Sequence, residues 1–269
     1  MQRLSRWIGL VLGWLGLICL AGCTRPFPQT VPLVEGQQAE AERLWHAVAS
    51  VNIPARVEAD FRLGWEILGS KGAIDAFLTV QPPSFLRFSA QDPLGRPLYI
   101  AVADGLTFTL ADNRKGAVFQ GTTASKFWQA YVPAFLAPEQ LPFLLCGLPY
   151  NSPVRMPEIS QQSDQGGFWY VWQDDGHLWH HVLLDRTQGT MSRHLLSNQD
   201  QELLLDLAYQ EYSQVQGQPS WPRLLTVTGS AVTGTVTLHL AQVALHADRL
   251  PDTAFTLTAP PHFTQEQVD

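Results

Sequence analysis

The stretch FLRFSAQDPLGRPLYIAVADGLTFTLADNRKG, residues 85–116, decides the fold class. It holds three short apolar runs, at 85–88, 98–102 and 106–110. Turn residues punctuate them at Asp92-Pro93, Asp104-Gly105 and Asp112-Asn113. Runs of that length between such punctuators read as antiparallel strands joined by tight turns. Working outward, Phe61, Leu63 and Trp65 alternate with Asp60, Arg62 and Gly64, the period of a strand with one buried face. Residues 73–78 add another strand between Gly69-Ser70-Lys71-Gly72 and Pro82-Pro83. Past residue 160 the pattern resumes at 168–173, 177–184, 191–196, 203–212, 224–228, 236–245 and 255–257. Asp174-Asp175-Gly176 marks a hairpin turn there. So many evenly spaced short strands predict a mainly β protein, one large antiparallel sheet curled into a barrel or half-barrel.

Three segments break the β pattern. Residues 36–51 place Ala39, Leu44, Ala47, Val48 and Val51 along one side of a predicted helix. Phe127, Trp128, Tyr131, Val132 and Phe135 form a second apolar helical stripe, which Thr122 or Thr123 can cap. Pro138 stands where a first helical position belongs, Leu141, Leu144 and Leu145 follow, and Gly147 ends the run. The two short helices at 127–147 interrupt an otherwise β sequence.

The amino terminus carries Arg3 and Arg6, an uncharged apolar run from 7 to 20, and then Leu20-Ala21-Gly22-Cys23. The apolar run is short for a membrane span, which needs about 20 residues. The pattern resembles a bacterial lipoprotein signal peptide, which implies cleavage before Cys23 and lipid on that residue. Residues 1–22 are thus expected to be a signal peptide, 23–35 an acylated, proline-bearing tether, and 36–269 the folded domain. The chain has 17 Lys+Arg against 24 Asp+Glu, a net charge of −7. That balance argues against a nucleic-acid partner. Cys146 is the one cysteine outside the amino-terminal segment, so no intrachain disulfide is expected in the domain.

Residues 88–149 resemble the LolB family of outer-membrane lipoprotein receptors, within the LolA/LolB-like lipoprotein-localisation superfamily. The likeness rests on features in order: a strand ending in Asp92-Pro93-Leu94-Gly95, a second strand, a turn at Asp112-Asn113-Arg114-Lys115-Gly116, a helix, and Leu141-Pro142-Phe143-Leu144-Leu145-Cys146-Gly147-Leu148-Pro149. The carboxyl-terminal run Asp252–Pro260 looks more like the periplasmic carriers of the same superfamily. The resemblance implies an unclosed β-barrel with helices over an apolar cavity that takes acyl chains. It implies a Pro93-Leu94-Gly95 loop whose leucine helps deliver cargo into the membrane. Partners implied are acylated lipoproteins or lipid, a periplasmic LolA-like carrier, and the membrane through a lipid anchor, on the periplasmic face of the outer membrane. No cofactor and no metal are implied.

Thirteen Phe and nine Trp suit an apolar cavity of this kind. The cavity and lid candidates are Phe61, Trp65, Phe88, Phe127, Trp128, Tyr131, Phe135, Leu144 and Trp172, any of which can equally be ordinary core. Asp174, Asp175, His177, His180 and His181 form one cluster with metal-ligand flavour but lack the spacing of a metal site. There is no Gly-x-Ser-x-Gly elbow, P-loop or dinucleotide fingerprint, so nothing calls for an enzyme. The expected function is to bind acyl chains of lipoproteins, or another hydrophobic guest, and deliver them to the membrane. The alternatives are a lipid-binding or structural envelope lipoprotein of the same fold without transfer.

Overall fold

A computed structural model describes residues 27–150, 156–162, 166–213 and 220–269. Cys23 and the expected signal peptide lie outside them. Fifteen strands form one sheet. In chain order they begin with β1 (Thr30–Val31), β2 (Arg56–Ile67), β3 (Ser70–Gln81), β4 (Phe85–Gln91), β5 (Pro97–Ala103), β6 (Thr107–Asp112) and β7 (Ala117–Thr122). They continue with β8 (Glu158–Gln162), β9 (Gly167–Gln173), β10 (Trp179–Asp185), β11 (Met191–Ser197), β12 (Leu203–Gln210), β13 (Leu224–Thr228), β14 (Thr235–His246) and β15 (Thr264–Val268). The order across the sheet is β1-β8-β9-β10-β11-β12-β13-β14-β2-β3-β4-β5-β6-β7-β15. It is thus two meanders, β2–β7 and β8–β14, sewn together where β14 lies antiparallel to β2 from Thr235↔Glu66 to His246↔Arg56. The edges β1 and β15 do not pair with each other, so the sheet is unclosed, as predicted. Among the described residues every pairing is antiparallel except β15 with β7.

Strand alternation sorts the side chains. Val57, Ala59, Phe61 on β2, Ala76, Leu78, Val80 on β3, and Phe168, Tyr170, Trp172 on β9 point to the concave side and join the main core. Helix α1 (Gln38–Ala49) covers the β9–β10 part of that face with Ala41, Trp45 and Val48. The Trp45 ring stacks on Tyr170 at 4.9 Å and meets Trp172 edge-on at 5.3 Å. The Tyr170 hydroxyl donates to the Ala41 carbonyl at 2.7 Å, and Arg186 grips Glu40 with two 2.6 Å bonds.

Four local readings differ from the prediction. The stripe at 127–135 makes only a one-turn helix, α2 (Lys126–Gln129), capped by Ser125, whose hydroxyl accepts from the Trp128 N–H. Pro133, just past it, ends the helix because a proline has no N–H to donate and restricts the residue before it. The tether contributes a strand, β1. Polar β8 and β15 carry no apolar alternation and so gave no sequence signal. The run at 255–257 is no strand: Asp252–Phe255 turns as a 3-10 helix, and Phe255 packs on Phe85 at 5.1 Å.

Candidate functional site

The residues that follow α2 pack on the main core with Phe135, Leu136, Phe143 and Leu144. They include a 3-10 turn (Pro138–Gln140) leading into α3 (Leu141–Cys146). α3 stops at Gly147, whose φ of +63° is left-handed, as a helix-ending glycine allows. A Cβ there would lie 2.5 Å from the Tyr212 hydroxyl, so glycine is required on packing grounds as well. The Tyr209 hydroxyl donates to the Leu144 carbonyl at 2.9 Å and pins α3 to β12.

Beneath α3 lies an enclosed apolar cavity. Its walls are Val57, Ala59 and Phe61 of β2, Leu78 and Val80 of β3, Leu238 and Leu240 of β14, Trp221, and Pro142, Leu145 and Cys146 of α3. Its volume is about 20 Å³. An apolar cavity that takes up benzene measures about 150 Å³, so this one is closed to an acyl chain until α3 moves. The lining carries two polar features. Burial pushes the Cys146 thiol well above its usual range, leaving it protonated and unreactive. The indole N–H of Trp221 is buried with no acceptor among the described residues.

The candidate residues distribute as follows. Phe61 lines the cavity, and Phe88 lies 6.2 Å from it across the inner face. Leu144 is buried in the same core. Trp65 lies half-buried farther along β2, its ring folded over Gly72 so closely that a Cβ there would fall 2.3 Å from it. Phe127 and Trp128 join Phe108 in a separate aromatic cluster over β6 and β7. Phe135 packs on the main core, whereas Tyr131 is 68% exposed. Trp172 sits under α1 rather than α3. Pro93 and Gly95 are exposed in the β4–β5 loop with Leu94, which is 78% exposed; Gly95 takes φ +77°. Of the candidates, Phe61 alone lines the cavity; Phe88 and Leu144 belong to the surrounding core, and Phe127, Trp128, Tyr131 and Trp172 lie elsewhere. Sequence reasoning missed Ala59, Val80 and Leu240, whose only signal is strand alternation shared with every core position, and Trp221, which lies between β12 and β13.

The histidines settle into a buried network. His180 Nε2 lies 3.2 Å from Asp174 Oδ2, and His180 Nδ1 lies 3.0 Å from His194 Nε2. The consistent proton placement has His194 Nε2–H donating to His180 and His180 Nε2–H donating to Asp174. His194 Nδ1 is then a buried bare acceptor, with no partner among the described residues. Trp172 stacks on His180 at 4.7 Å. His181 faces the other side, 5.0 Å from Phe27. No group of three or more potential metal ligands occurs among the described residues. Burial disfavours the charged form of Asp174, but hydrogen bonds from His180 and the Leu178 N–H outweigh it and hold its carboxyl below the usual range.

Burial holds His194 well below its usual pKa and His181 at about 4. The unfolded chain protonates both near pH 6.5. The stability they allow is therefore complete above that pH and is lost as pH falls through 6.5 toward 4. Each contributes a slope of about 1.4 kcal/mol per pH unit in that window. Denaturant midpoints should drop between pH 7 and 5, and His194→Leu should flatten the dependence.

No protein-family model matches the chain, and no curated protein matches it. Solved structures do. A LolA superfamily protein from Nitrosomonas europaea superposes with a TM-score of 0.55 at 11% identity, over 81% of this chain and 97% of that one. A DUF1329 family protein from Desulfovibrio piger gives 0.56 at 10% identity, over 83% and 98%. An outer membrane lipoprotein-sorting protein domain from Vibrio parahaemolyticus gives 0.52 at 11% identity, over 80% and 94%. These neighbours share the fold across most of their length. At 10–11% identity they show a shared fold and nothing finer.

Proposed function

We propose that this chain is a lipid-anchored envelope protein that takes an acyl chain, of a lipoprotein or another hydrophobic guest, beneath α3 and delivers it to the membrane. Lipid on Cys23 would hold it at the periplasmic face of the outer membrane, where a LolA-like carrier supplies the cargo. The observation that carries the reading is the apolar cavity between α3 and the inner face of β2, β3 and β14, lined without a single charged side chain. Its small volume makes α3 the moving part.

The energies allow that movement. Lifting α3 re-exposes Pro142, Leu144, Cys146 and its neighbours, at roughly 1.5–3 kcal/mol for each large side chain. A chain of about fifteen methylenes gains roughly 12 kcal/mol on leaving water. The difference leaves a modest affinity, which suits a guest that must be passed on.

The tightness of the cavity favours a second reading, a structural envelope lipoprotein whose inner face is simply core. Mixing acylated cargo on a carrier with this protein separates the two: cargo moves under the first reading and stays under the second. Leu94→Glu is expected to leave cargo binding within about twofold while cutting delivery to vesicles by about tenfold or more, because a charge on the exposed loop resists entry into the bilayer. Unchanged delivery would remove the loop from the mechanism.

A further inference from the structure

The tether is docked in its described part. β1 pairs with β8 through Thr30↔Gln162 and Val31↔Gln161. Just before it, Phe27 enters a separate apolar cluster with Trp169 of β9, Leu183 of β10, Leu195 of β11 and Leu203 of β12. Its ring lies 5.0 Å from that of His181. This seat is on the outer face of the sheet. Phe168 and Tyr170 point inward, so Trp169 between them points outward. The pairs Trp169↔Leu183 and His181↔Leu195 carry that face across β10 and β11. Outward side chains ordinarily meet water, yet Trp169 and Leu195 are each 1% exposed. Phe27 is the member of the cluster that comes from outside the β8–β14 meander.

Docking shortens the reach of an anchor at Cys23. Phe27 follows Cys23 by four residues, a fully extended span of about 14 Å. A tether free as far as Gly36 would span about 45 Å. A domain the size of residues 36–269 is itself about 45 Å across. A free tether would therefore let the domain roll and present any side to the bilayer, whereas a docked one cannot. Burial of a phenyl ring favours the docked state by about tenfold or more. Pro28 and Pro32 stand on either side of β1, and the fixed φ of proline keeps that path stiff.

We infer that Phe27, seated on Trp169, Leu183 and Leu195, turns the tether into a short leash that holds the outer face of β8–β11 against the bilayer surface. Acyl chains keep Cys23 at that surface, and the seat lies within the leash of it. A carrier or cargo then meets the remaining sides of the domain. The inference rests on lipid at Cys23, the anchor of the proposed function, for its setting in the cell. The seat itself owes nothing to that lipid, because Phe27 and β1 pack on the domain through their own side chains and backbone.

The test supplies the lipid chemically. It uses the chain from Cys23 onward, whose core is complete because all three apolar clusters lie between Phe27 and Val268. The Cys23 thiol is coupled to a maleimide phospholipid in phosphatidylcholine vesicles, and buried Cys146 does not compete. A phospholipid with a photoreactive head group is then irradiated and its adducts are mapped by mass spectrometry. They should gather on Glu158, Ser160, Gln173 and Arg193, which surround the seat on the outer face. A Gly/Ser spacer of about twelve residues after Cys23 lengthens the leash without touching the seat. It should cut the share of adducts on those four residues about threefold or more, and Phe27→Ala should do the same. Adducts distributed alike with and without the spacer, or gathered around Leu106 and Tyr131, would overturn the inference. Whether the cell acylates Cys23 is read separately, from the mass of the protein extracted from membranes, so the anchor and the leash can fail independently.

Discussion

Trp45→Ala is expected to cost about 3–5 kcal/mol of stability, read as a drop in the denaturant midpoint. Trp45 is nearly fully buried and is the one large aromatic that α1 inserts between Tyr170 and Trp172. Its loss removes two ring contacts and leaves a cavity that the flat β9–β10 surface cannot close. The Tyr170–Ala41 hydrogen bond then spans a loosened interface. Because Trp172 also stacks on His180, the variant should lose part of the histidine-linked pH dependence as well. Trp45→Phe, which keeps a ring, should recover about half of the stability lost.

Ala59→Phe is expected to lower the affinity for a fluorescent fatty acid by about tenfold or more while leaving the sheet folded. Ala59 lines the cavity from β2, directly between Val57 and Phe61. A phenyl ring there fills the space a guest must enter and props against α3. Overpacking a tight core costs about 1–3 kcal/mol, well short of the loss at Trp45. Circular dichroism and the denaturant midpoint check that the fold survives. Leu145→Ala, which widens the same cavity from the lid side, should move the affinity in the opposite direction. If both variants bind the probe as the unaltered chain does, the guest does not sit beneath α3.

The sheet was legible because hairpin turns and alternation act over a few residues. Phe61-Arg62-Leu63-Gly64-Trp65 and Asp92-Pro93-Leu94-Gly95 declare a strand and a turn without help from the rest of the chain. The Gly147 helix stop and the Asp174-Asp175-Gly176 turn were readable for the same reason. What escaped depended on contacts distant in sequence. β15 is polar and exists because β7 offers an open edge, so its own residues carry no pattern. The stripe at 127–135 has helical spacing, yet Pro133 and the pull of Phe108 and Phe119 on Phe127 reduce it to one turn. His194 joins His180 across β10 and β11 through strand register, and register is invisible one residue at a time. The cavity walls were half legible: Phe61 stood out as an aromatic, whereas Ala59 and Val80 are ordinary inward positions until α3 is laid over them.

The central claim is that α3 lifts to admit an acyl chain against β2, β3 and β14. A photoreactive fatty acid, titrated onto the protein and crosslinked, tests it most directly. The account predicts saturable one-to-one labelling, with adducts on Val57, Ala59, Phe61, Leu78, Leu145 or Leu240. Labelling that never saturates, or that falls mainly on the outer face around Asp60, Arg62 and His239, would contradict it.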